Sequence, residues 1–166
     1  VRDRFVMVRG EQLVWRIAKH TSQYDAADLG GGAAKLTGGR WNSKGNAVVY
    51  ASLSIALATL ESLAHLGGNI AIRNAFLVQI AIPAAAWRLR EIVEASQLAA
   101  TWLAEPPGSG TITFGDDWLS LCAAPLLLVP SVIVPEEYNV LINPRHPASA
   151  AIKAAVTRQY IYDPRL

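Results

Sequence analysis

GGRWNSKGNAVVYASLSIALATLE, residues 38–61, combines turn, strand and helix signals with three candidate functional side chains. It opens with two glycines, which let the backbone approach a neighbour closely, and continues with the cation Arg40 and an aromatic ring. Residues 42–46 are rich in Asn, Ser and Gly and predict a turn. Residues 47–51 form a β-prone run that contains Tyr50, so we expect a short strand there.

A helix is predicted directly after this strand. Ser52 or Ser54 is suited to cap its first turn, its body covers Ile55–Leu66, and the glycine pair at 67–68 ends it. The body is apolar almost all round, which indicates a buried helix. Glu61 is its only acidic residue. Because a buried carboxylate costs free energy unless it is paired or used, the segment is a candidate site.

The composition bounds the class of protein. The chain has 166 residues, is 52% hydrophobic and 17% charged, and carries a net charge of +2, which is typical of a globular protein with a substantial core. This charge is too small to indicate a nucleic-acid-binding surface. Cys122 is the single cysteine and is expected in the core, so a disulfide within the chain and a multi-cysteine zinc site are excluded.

Hydropathy predicts no membrane span, because prolines interrupt the longest apolar run at 119–134. The first ten residues, VRDRFVMVRG, lack the apolar segment of a secretory signal. We therefore expect a cytoplasmic protein.

The rest of the chain predicts a mixture of short elements. Strands are predicted at 13–18, at 70–82 up to Pro83, in the two halves of 126–134 that meet at Pro130-Ser131, at Tyr138–Ile142 and at 159–162. Helices are predicted at 91–103, at 118–123 behind a cap from Asp116 or Asp117, and at 148–156. Loops are predicted at 21–37, where some Ala-rich helix is also expected, at 106–113 and at Asn143-Pro144. Since helices and strands do not strictly alternate, we expect one α+β domain over residues 1–166.

Several common chemistries have no sequence signature in this chain. It contains no GxGxxG after a strand, no GxxxxGKS/T phosphate loop and no GxSxG elbow. The histidines His20, His65 and His146 show no HxxxH or HExxH spacing, so no metal site is predicted. His65 follows Glu61 by four residues on the same helical face, and the pair is as compatible with a structural role as with a catalytic one.

What remains is a set of polar side chains in apolar surroundings: Arg40, Tyr50, Glu61, Ser131, Asn139, Asn143 and His146. Each alone has a structural explanation, as a surface ion pair, a strand aromatic or a turn residue. Arg16, in the first predicted strand, is either a solvated residue or a clamp for an anion. Together these groups describe a pocket with cations for a pyrophosphate, an aromatic ring for stacking and a carboxylate for a ribose.

At these residues the sequence resembles the RES-domain family, which is named for an Arg, a Glu and a Ser. The matching pieces are VWRIA (14–18), GGRWNSKGNAVVYAS (38–52), ALATLE (56–61), DDWL (116–119), VPSVIVPEEYNVLINPRHP (129–147) and YDPRL (162–166). The resemblance thus spans nearly the whole chain, although 67–115 match no motif piece. The residues of the family's name fall on Arg40, Glu61 and Ser131.

The resemblance implies a fold, an activity and a partner. RES domains are toxins of bacterial toxin–antitoxin pairs with an ADP-ribosyltransferase-like fold, in which short strands form a split mixed or antiparallel sheet flanked by helices. They deplete NAD+ by hydrolysis or phosphorolysis, and one branch transfers ADP-ribose to a protein. NAD+ is then a substrate, and no retained cofactor or metal is implied. The implied partner is an Xre-like antitoxin whose C-terminal domain covers the active site, and a homodimer within that complex is also compatible.

The resemblance also assigns roles to residues. The catalytic group is Arg40, Glu61 and Ser131, and the NAD-binding group is Arg16, Arg40, Tyr50, Ser131 and His146. Arg40, helped by Arg16, is expected to hold the pyrophosphate, and Tyr50 to stack on the nicotinamide or the adjoining ribose. Glu61 is expected to bind the ribose hydroxyls and stabilise positive charge as nicotinamide leaves.

In the same pocket Ser131 is expected to orient the nicotinamide amide or the ribose, and His146 to act as a supporting donor. Two other classes stay open beside NAD+ cleavage. One is a protein ADP-ribosyltransferase with the same pocket. The other is a binding module for nucleic acid or protein, which the acidic Glu61 disfavours, since a nucleic-acid surface gains from cations.

Overall fold

The computed structural model describes residues 10–66, 74–163 and 165. Its strands are β1 (Glu11–Lys19), β2 (Val49–Ser52), β3 (Ala75–Pro83), β4 (Glu91–Ile92), β5 (Leu126–Pro130), β6 (Tyr138–Ile142) and β7 (Lys153–Gln159). Its α-helices are α1 (Gly32–Thr37), α2 (Ile55–Leu66), α3 (Ala84–Arg88) and α4 (Ser109–Leu121), and short 3-10 turns cover Ala95–Gln97 and Pro147–Ala151.

The strands described here form one mixed sheet in the order β4-β5-β6-β2-β1-β3-β7. Only β4 and β5 run parallel, and the other neighbours are antiparallel. The strand pairing is least extensive at the centre of the sheet, where β1 and β2 share the single registered pair Trp15–Ser52. By contrast, β1 and β3 are paired along their whole lengths. The sheet is therefore split between β2 and β1, and the expected α+β fold with a split sheet is confirmed.

Strand register sorts the side chains onto two faces, because directly paired residues of antiparallel strands point to the same side. The first core lies on one face and includes Val14, Val78, Ile80, Leu128 and Val140. The second core lies on the other face of β5 and β6 and includes Trp41, Val48, Trp118, Leu127 and Leu141. Because both faces are covered, every residue of β5 is buried.

Helix α2 has the predicted bounds but not the predicted burial. The hydroxyl of Ser54, one of the two predicted caps, accepts a hydrogen bond of 3.1 Å from the Leu57 amide. The helix packs against β1 and β2 with one face, so only Leu57, Ala58 and Thr59 are buried. Leu60 remains 38% exposed. The prediction of a buried helix is wrong for most of α2, because apolar composition does not specify how many faces of a helix pack against other elements. The predicted glycine stop at 67–68 lies outside the described residues.

The strand predictions hold where the apolar pattern is continuous. The strands near 13–18, near 47–51 and at Tyr138–Ile142 are confirmed. The run predicted at 70–82 is confirmed from Ala75, and residues 70–73 lie outside the described part. Ser131 follows the end of β5 as expected, but the second predicted half at 132–134 is a turn. This turn has a local cause, because the Ser131 hydroxyl accepts hydrogen bonds from the backbone amides of Ile133 and Val134.

Several helix predictions are wrong, since tertiary pairing overrides local propensity. Residues 91–103 form β4, which pairs with β5, followed by a short 3-10 turn. The Ala-rich run at 148–156 is a 3-10 turn that leads into the exposed strand β7, paired with β3. β7 ends at Gln159, and residues 160–162 form no strand, so the strand predicted at 159–162 is wrong.

The segment around α4 also differs from expectation. The helix begins at Ser109, inside the loop predicted at 106–113, and it contains Asp116 and Asp117 in its body instead of at its cap. Cys122 ends the helix in the left-handed conformation, with φ of 50°, and its side chain is only half-buried, so the expected core position is wrong.

Candidate active site

A row of polar side chains crosses three strands at one end of the second core. Ser52 on β2 is directly paired with Asn139 on β6. Asn139 is in turn paired with Val129 on β5, and Ser131 lies two residues further along that chain. Since side chains alternate along a strand, Ser131 points to the same face as Val129. The three polar groups therefore converge on one side of the sheet.

Helix α2 adds a carboxylate to this row. Glu61 Oε1 accepts a 2.7 Å hydrogen bond from the Ser131 hydroxyl and a second from Asn139 Nδ2. The hydroxyl of Ser52 donates to Asn139 Oδ1 at 2.6 Å. We call these four residues, Glu61, Ser131, Asn139 and Ser52, the Glu61 cluster. Within the described part of the chain, Glu61 Oε2 accepts no hydrogen bond, so one oxygen is held and the other is available to a ligand.

Ser131 is the most enclosed member of the Glu61 cluster. It is fully buried, and its hydroxyl accepts from the amides of Ile133 and Val134 at 3.1 Å while donating to Glu61. A hydroxyl with both its donor and acceptor capacity used has a fixed orientation. The carboxylate is therefore held against a rigid turn.

The loop that carries Arg40 is built separately and is rigid in its own right. Gly39 and Asn42 form a bridge in which the Gly39 amide donates to the Asn42 carbonyl at 2.9 Å. The side chain of Asn42 is buried, and its Nδ2 donates to the carbonyls of Ala34, Ser43 and Asn46 at 2.9, 3.1 and 3.0 Å. Arg40 thus lies at the tip of a tight, fully hydrogen-bonded turn.

The Tyr50 hydroxyl connects this loop to the sheet. It donates to Asn42 Oδ1 at 2.8 Å and accepts from the Trp41 amide at 3.0 Å. Burial raises the pKa of Tyr50 well above its ordinary value, against smaller opposing effects of the Trp41 hydrogen bond and the Arg40 cation. The phenol is therefore neutral and able to donate. Because Tyr50 precedes Ser52 by two residues on β2, its ring lies on the face that bears the Glu61 cluster.

Helix α4 supports the same loop from the other side. The Asp116 carboxylate accepts from the Ser43 amide at 2.9 Å, from the Ser43 hydroxyl at 2.5 Å and from Asn46 Nδ2 at 2.7 Å. Burial acts to raise the pKa of Asp116, but these hydrogen bonds outweigh it and lower the pKa below its ordinary value. Gly115 packs so closely that a Cβ there would lie 1.9 Å from the Trp41 carbonyl oxygen.

The Arg40 guanidinium is already engaged by the chain itself. Its Nη1 donates to the carbonyls of Trp102 and Ala104 at 3.0 and 2.8 Å, and its Nη2 pairs with Glu105 Oε2 at 2.8 Å. The Arg40 side chain is 14% exposed, whereas that of Glu105 is 78% exposed. A mostly buried cation paired with a solvated carboxylate can exchange that partner for another anion at small cost.

Arg16 lies on the other face of the sheet. It is directly paired with Val78, a residue of the first core, and its Nη2 donates to the carbonyls of Ala26 and Asp28. Burial lowers the pKa of Arg16, against the raising effect of Asp28 and Asp25. Among the described residues its buried Nε has no hydrogen-bond partner. The structure does not bring Arg16 into contact with the Glu61 cluster.

His146 is also remote from the Glu61 cluster. Its Nδ1 accepts from the Ala148 amide at 3.1 Å, and the ring lines an open groove of about 460 Å³ together with Leu29, Ile142 and Ile152. Asn143 is buried and donates to the Leu119 carbonyl at 3.2 Å, which explains it as a structural residue. NAD binding by Arg16 and His146 stays a prediction of the resemblance.

Sequence reasoning missed the residues that hold the site together. The sequence pattern predicts Ser52 and Asp116 only as candidate helix caps and Asn42 only as a turn residue, so their partners in the site were not foreseen. Asn139 stood in the polar set without a function. Their signal was the placement of uncharged polar groups in apolar runs, which indicates buried hydrogen bonds without naming the partner.

No helix in residues 10–66 or 74–163 combines the length and apolar character that crossing a bilayer requires. In the same residues no three His, Cys, Asp or Glu side chains are grouped in a way that could hold a metal ion.

Known proteins resemble this chain in sequence and in fold. A family model described as "RES domain" matches residues 13–163. The chain is 48% identical over 152 residues to "Prs ADP-ribosylating toxin" of Sphingobium sp. (strain YBL2), covering 92% of this chain and 94% of that protein. It is 34% identical over 145 residues to "Toxin Res" of Yersinia enterocolitica, covering 87% and 93%. A chain in the crystal structure of the M. tuberculosis MbcT-MbcA toxin-antitoxin complex has the same fold, with a TM-score of 0.67, 16% identity and coverage of 89% and 85%.

Proposed function

This chain belongs to the RES domain family, and we propose from that premise and from the site geometry that it is a toxin that cleaves NAD+ at the bond between nicotinamide and ribose. The observation that carries the proposal is the state of the Glu61 carboxylate. Oε1 is fixed by Ser131 and Asn139, and Oε2 accepts no hydrogen bond from the described residues. Glu61 thus offers a ligand one carboxylate oxygen, Oε2, in a fixed orientation.

The chemistry needs such an oxygen. As the glycosidic bond breaks, nicotinamide leaves with the bonding electrons and the ribose carbon develops positive charge. A carboxylate held near that carbon stabilises the charge without having to move, which is the largest single effect available to an enzyme of this kind. Glu61 needs no added proton for this role, so its position matters more than its basicity.

The neighbouring groups fit the remaining parts of the substrate. Tyr50 presents a neutral aromatic ring on the same sheet face, suited to stack on the nicotinamide or its ribose. Arg40 presents a planar guanidinium suited to bind a pyrophosphate with two hydrogen bonds. Glu105 forms an ion pair with that guanidinium and would have to leave before a pyrophosphate binds there. Capture of the ribosyl cation by water, with loss of one proton, gives ADP-ribose, and capture by phosphate gives its phosphate ester.

A second candidate differs only in the acceptor. A relative that is 48% identical to this chain over 152 residues is named "Prs ADP-ribosylating toxin". The same pocket then transfers ADP-ribose to a protein nucleophile instead of water or phosphate. Both candidates release one nicotinamide for each NAD+ consumed.

Product analysis separates these candidates. Purified protein is incubated with NAD+ alone, with NAD+ and phosphate, and with NAD+ and Prs, and the products are identified by chromatography and mass spectrometry. Free ADP-ribose, its phosphate ester, or a mass increase on Prs identifies the acceptor. Absence of nicotinamide release in all three mixtures would reject the proposed function.

We also propose a partner for this toxin, an Xre-like antitoxin that covers the site. The support is the origin of the structural relative, which was solved as a toxin-antitoxin complex. The Arg40 guanidinium donates a hydrogen bond to the Glu105 carboxylate of its own chain. A segment of the antitoxin that carries a carboxylate is therefore suited to bind Arg40 in place of Glu105. Competition tests this. We expect saturating antitoxin to abolish NAD+ binding, and retained NAD+ binding in the silenced complex would contradict direct occlusion.

A further inference from the structure

Asn139 lies beside Glu61 in an orientation that the hydrogen bonds determine. Asn139 Nδ2 donates to Glu61 Oε1, so the donor end of the amide faces the carboxylate. The opposite oxygen, Oδ1, accepts from the Ser52 hydroxyl at 2.6 Å. Ser52 therefore fixes which way the amide points.

The two donors to Glu61 act on the same oxygen. Ser131 and Asn139 both bond to Oε1, from the end of β5 and from β6. A carboxylate held at one oxygen by two donors from different strands cannot rotate to exchange its oxygens without breaking both bonds. Oε2 is then always the oxygen presented to a ligand.

We propose that Asn139, oriented by Ser52, is a positioning residue that holds Glu61 so that Oε2 meets the ribose of the substrate. The inference rests on the proposed function for its substrate, but the placement of the carboxylate is a separate structural claim. Asn139 does not touch the substrate, and it acts through Glu61.

The kinetic test uses two replacements of similar shape. Asn139→Leu removes the donor, and because a carboxylate misplaced by about 1 Å can lose about 100-fold in rate, we expect kcat to fall about 10- to 100-fold. KM for NAD+ should change little, since the binding groups stay in place. Ser52→Ala should lower kcat by about five-fold, the effect of one hydrogen bond.

Asn139→Asp gives a readout that a purely structural role would not. While the introduced carboxyl group keeps its proton it can donate to Glu61 as the amide does. When that proton is lost, two carboxylates face each other and repel. Among the described residues the two hydrogen-bond donors to Glu61, Ser131 and Asn139, are uncharged. This variant should therefore show an alkaline decline in kcat beyond that of the native protein. Asn74→Asp, on an exposed residue outside the Glu61 cluster, serves as the matched control and should keep the native profile.

Crystal structures of the native protein and of Asn139→Leu separate this inference from the proposed function. We expect the Glu61 carboxylate in the variant to turn about its remaining hydrogen bond to Ser131, so that Oε2 moves. An unmoved carboxylate, or an Asn139→Asp profile parallel to the native one, would overturn the inference. If the native protein releases no nicotinamide, the proposed function fails, and displacement of Glu61 in the variant structure alone decides whether Asn139 positions it.

Discussion

The carboxylate of Glu61 and the hydroxyl of Ser131 are 70 positions apart in the chain and 2.7 Å apart in the fold. One comes from the helix that follows β2, and the other from the turn that ends β5. Neither group has this neighbour in its local sequence. The contact therefore depends on the order of strands in the sheet, which brings β5, β6 and β2 side by side.

Gly115 and Gly110 lie on the same helix and should respond oppositely to alanine. A Cβ at Gly115 would lie 1.9 Å from the Trp41 carbonyl oxygen, so Gly115→Ala must displace the Arg40 loop. A Cβ at Gly110 would meet nothing closer than 3.9 Å, and removing a helical glycine there is favourable by about 0.5–1 kcal/mol. We expect thermal unfolding to show a lower melting temperature for Gly115→Ala and an unchanged or higher one for Gly110→Ala. Equal melting temperatures would contradict the close packing of α4 on the loop.

The fold was predictable where the sequence pattern is strong and local. α2 and β6 have the bounds that their apolar runs and turn residues indicate. α4 was not predictable in full, because its glycines lower helix propensity, and the need for a glycine at 115 appears only in the close contact with Trp41. The alanines of residues 148–156 predict a helix, but from Lys153 onwards the chain pairs with β3 as a strand.

The candidate site was predictable as a list of residues but not as an arrangement. The motif pieces named Arg40, Tyr50, Glu61 and Ser131, which the structure places on one side of the sheet in two hydrogen-bonded groups. The bonds that orient them come from uncharged residues such as Asn139 and Asn42, whose partners lie on other strands and loops. Such partners cannot be read from one sequence, because an amide donates equally well to many acceptors.

Asp116 should stabilise the protein in a pH-dependent way. Its folded-state pKa lies below the ordinary value of 3.8, so its contribution is present above that value and is lost as the pH falls through the lower, folded-state pKa. We expect Asp116→Asn to lower the free energy of unfolding at pH 7, and the difference from the native protein to shrink as the pH is lowered below 3.8. Asp117→Asn, on the exposed neighbour, is the control. A difference that is constant with pH would show that charge at Asp116 is not the cause.

Glu105 should compete with the substrate for Arg40. An exposed ion pair of this kind is worth about 1 kcal/mol or less, so Glu105→Gln should lower KM for NAD+ by about five-fold at most, with kcat unchanged. Raising the salt concentration should lessen the difference, since exposed charges are screened. Steady-state kinetics with Glu91→Gln as an exposed control checks this. A higher KM for Glu105→Gln would mean that Glu105 helps to bind the substrate.

The proposed role of Glu61 is tested by the rate of nicotinamide release from NAD+ by the native protein and by Glu61→Gln. Glu94→Gln is the matched control, because Glu94 also accepts a hydrogen bond from a β6 side chain, that of Tyr138, at 2.8 Å. We predict that Glu61→Gln remains folded and releases nicotinamide at least about 100-fold more slowly, the loss expected when a preorganised charge is removed. The control should stay near the native rate. A folded Glu61→Gln that releases nicotinamide at the native rate would contradict the central claim.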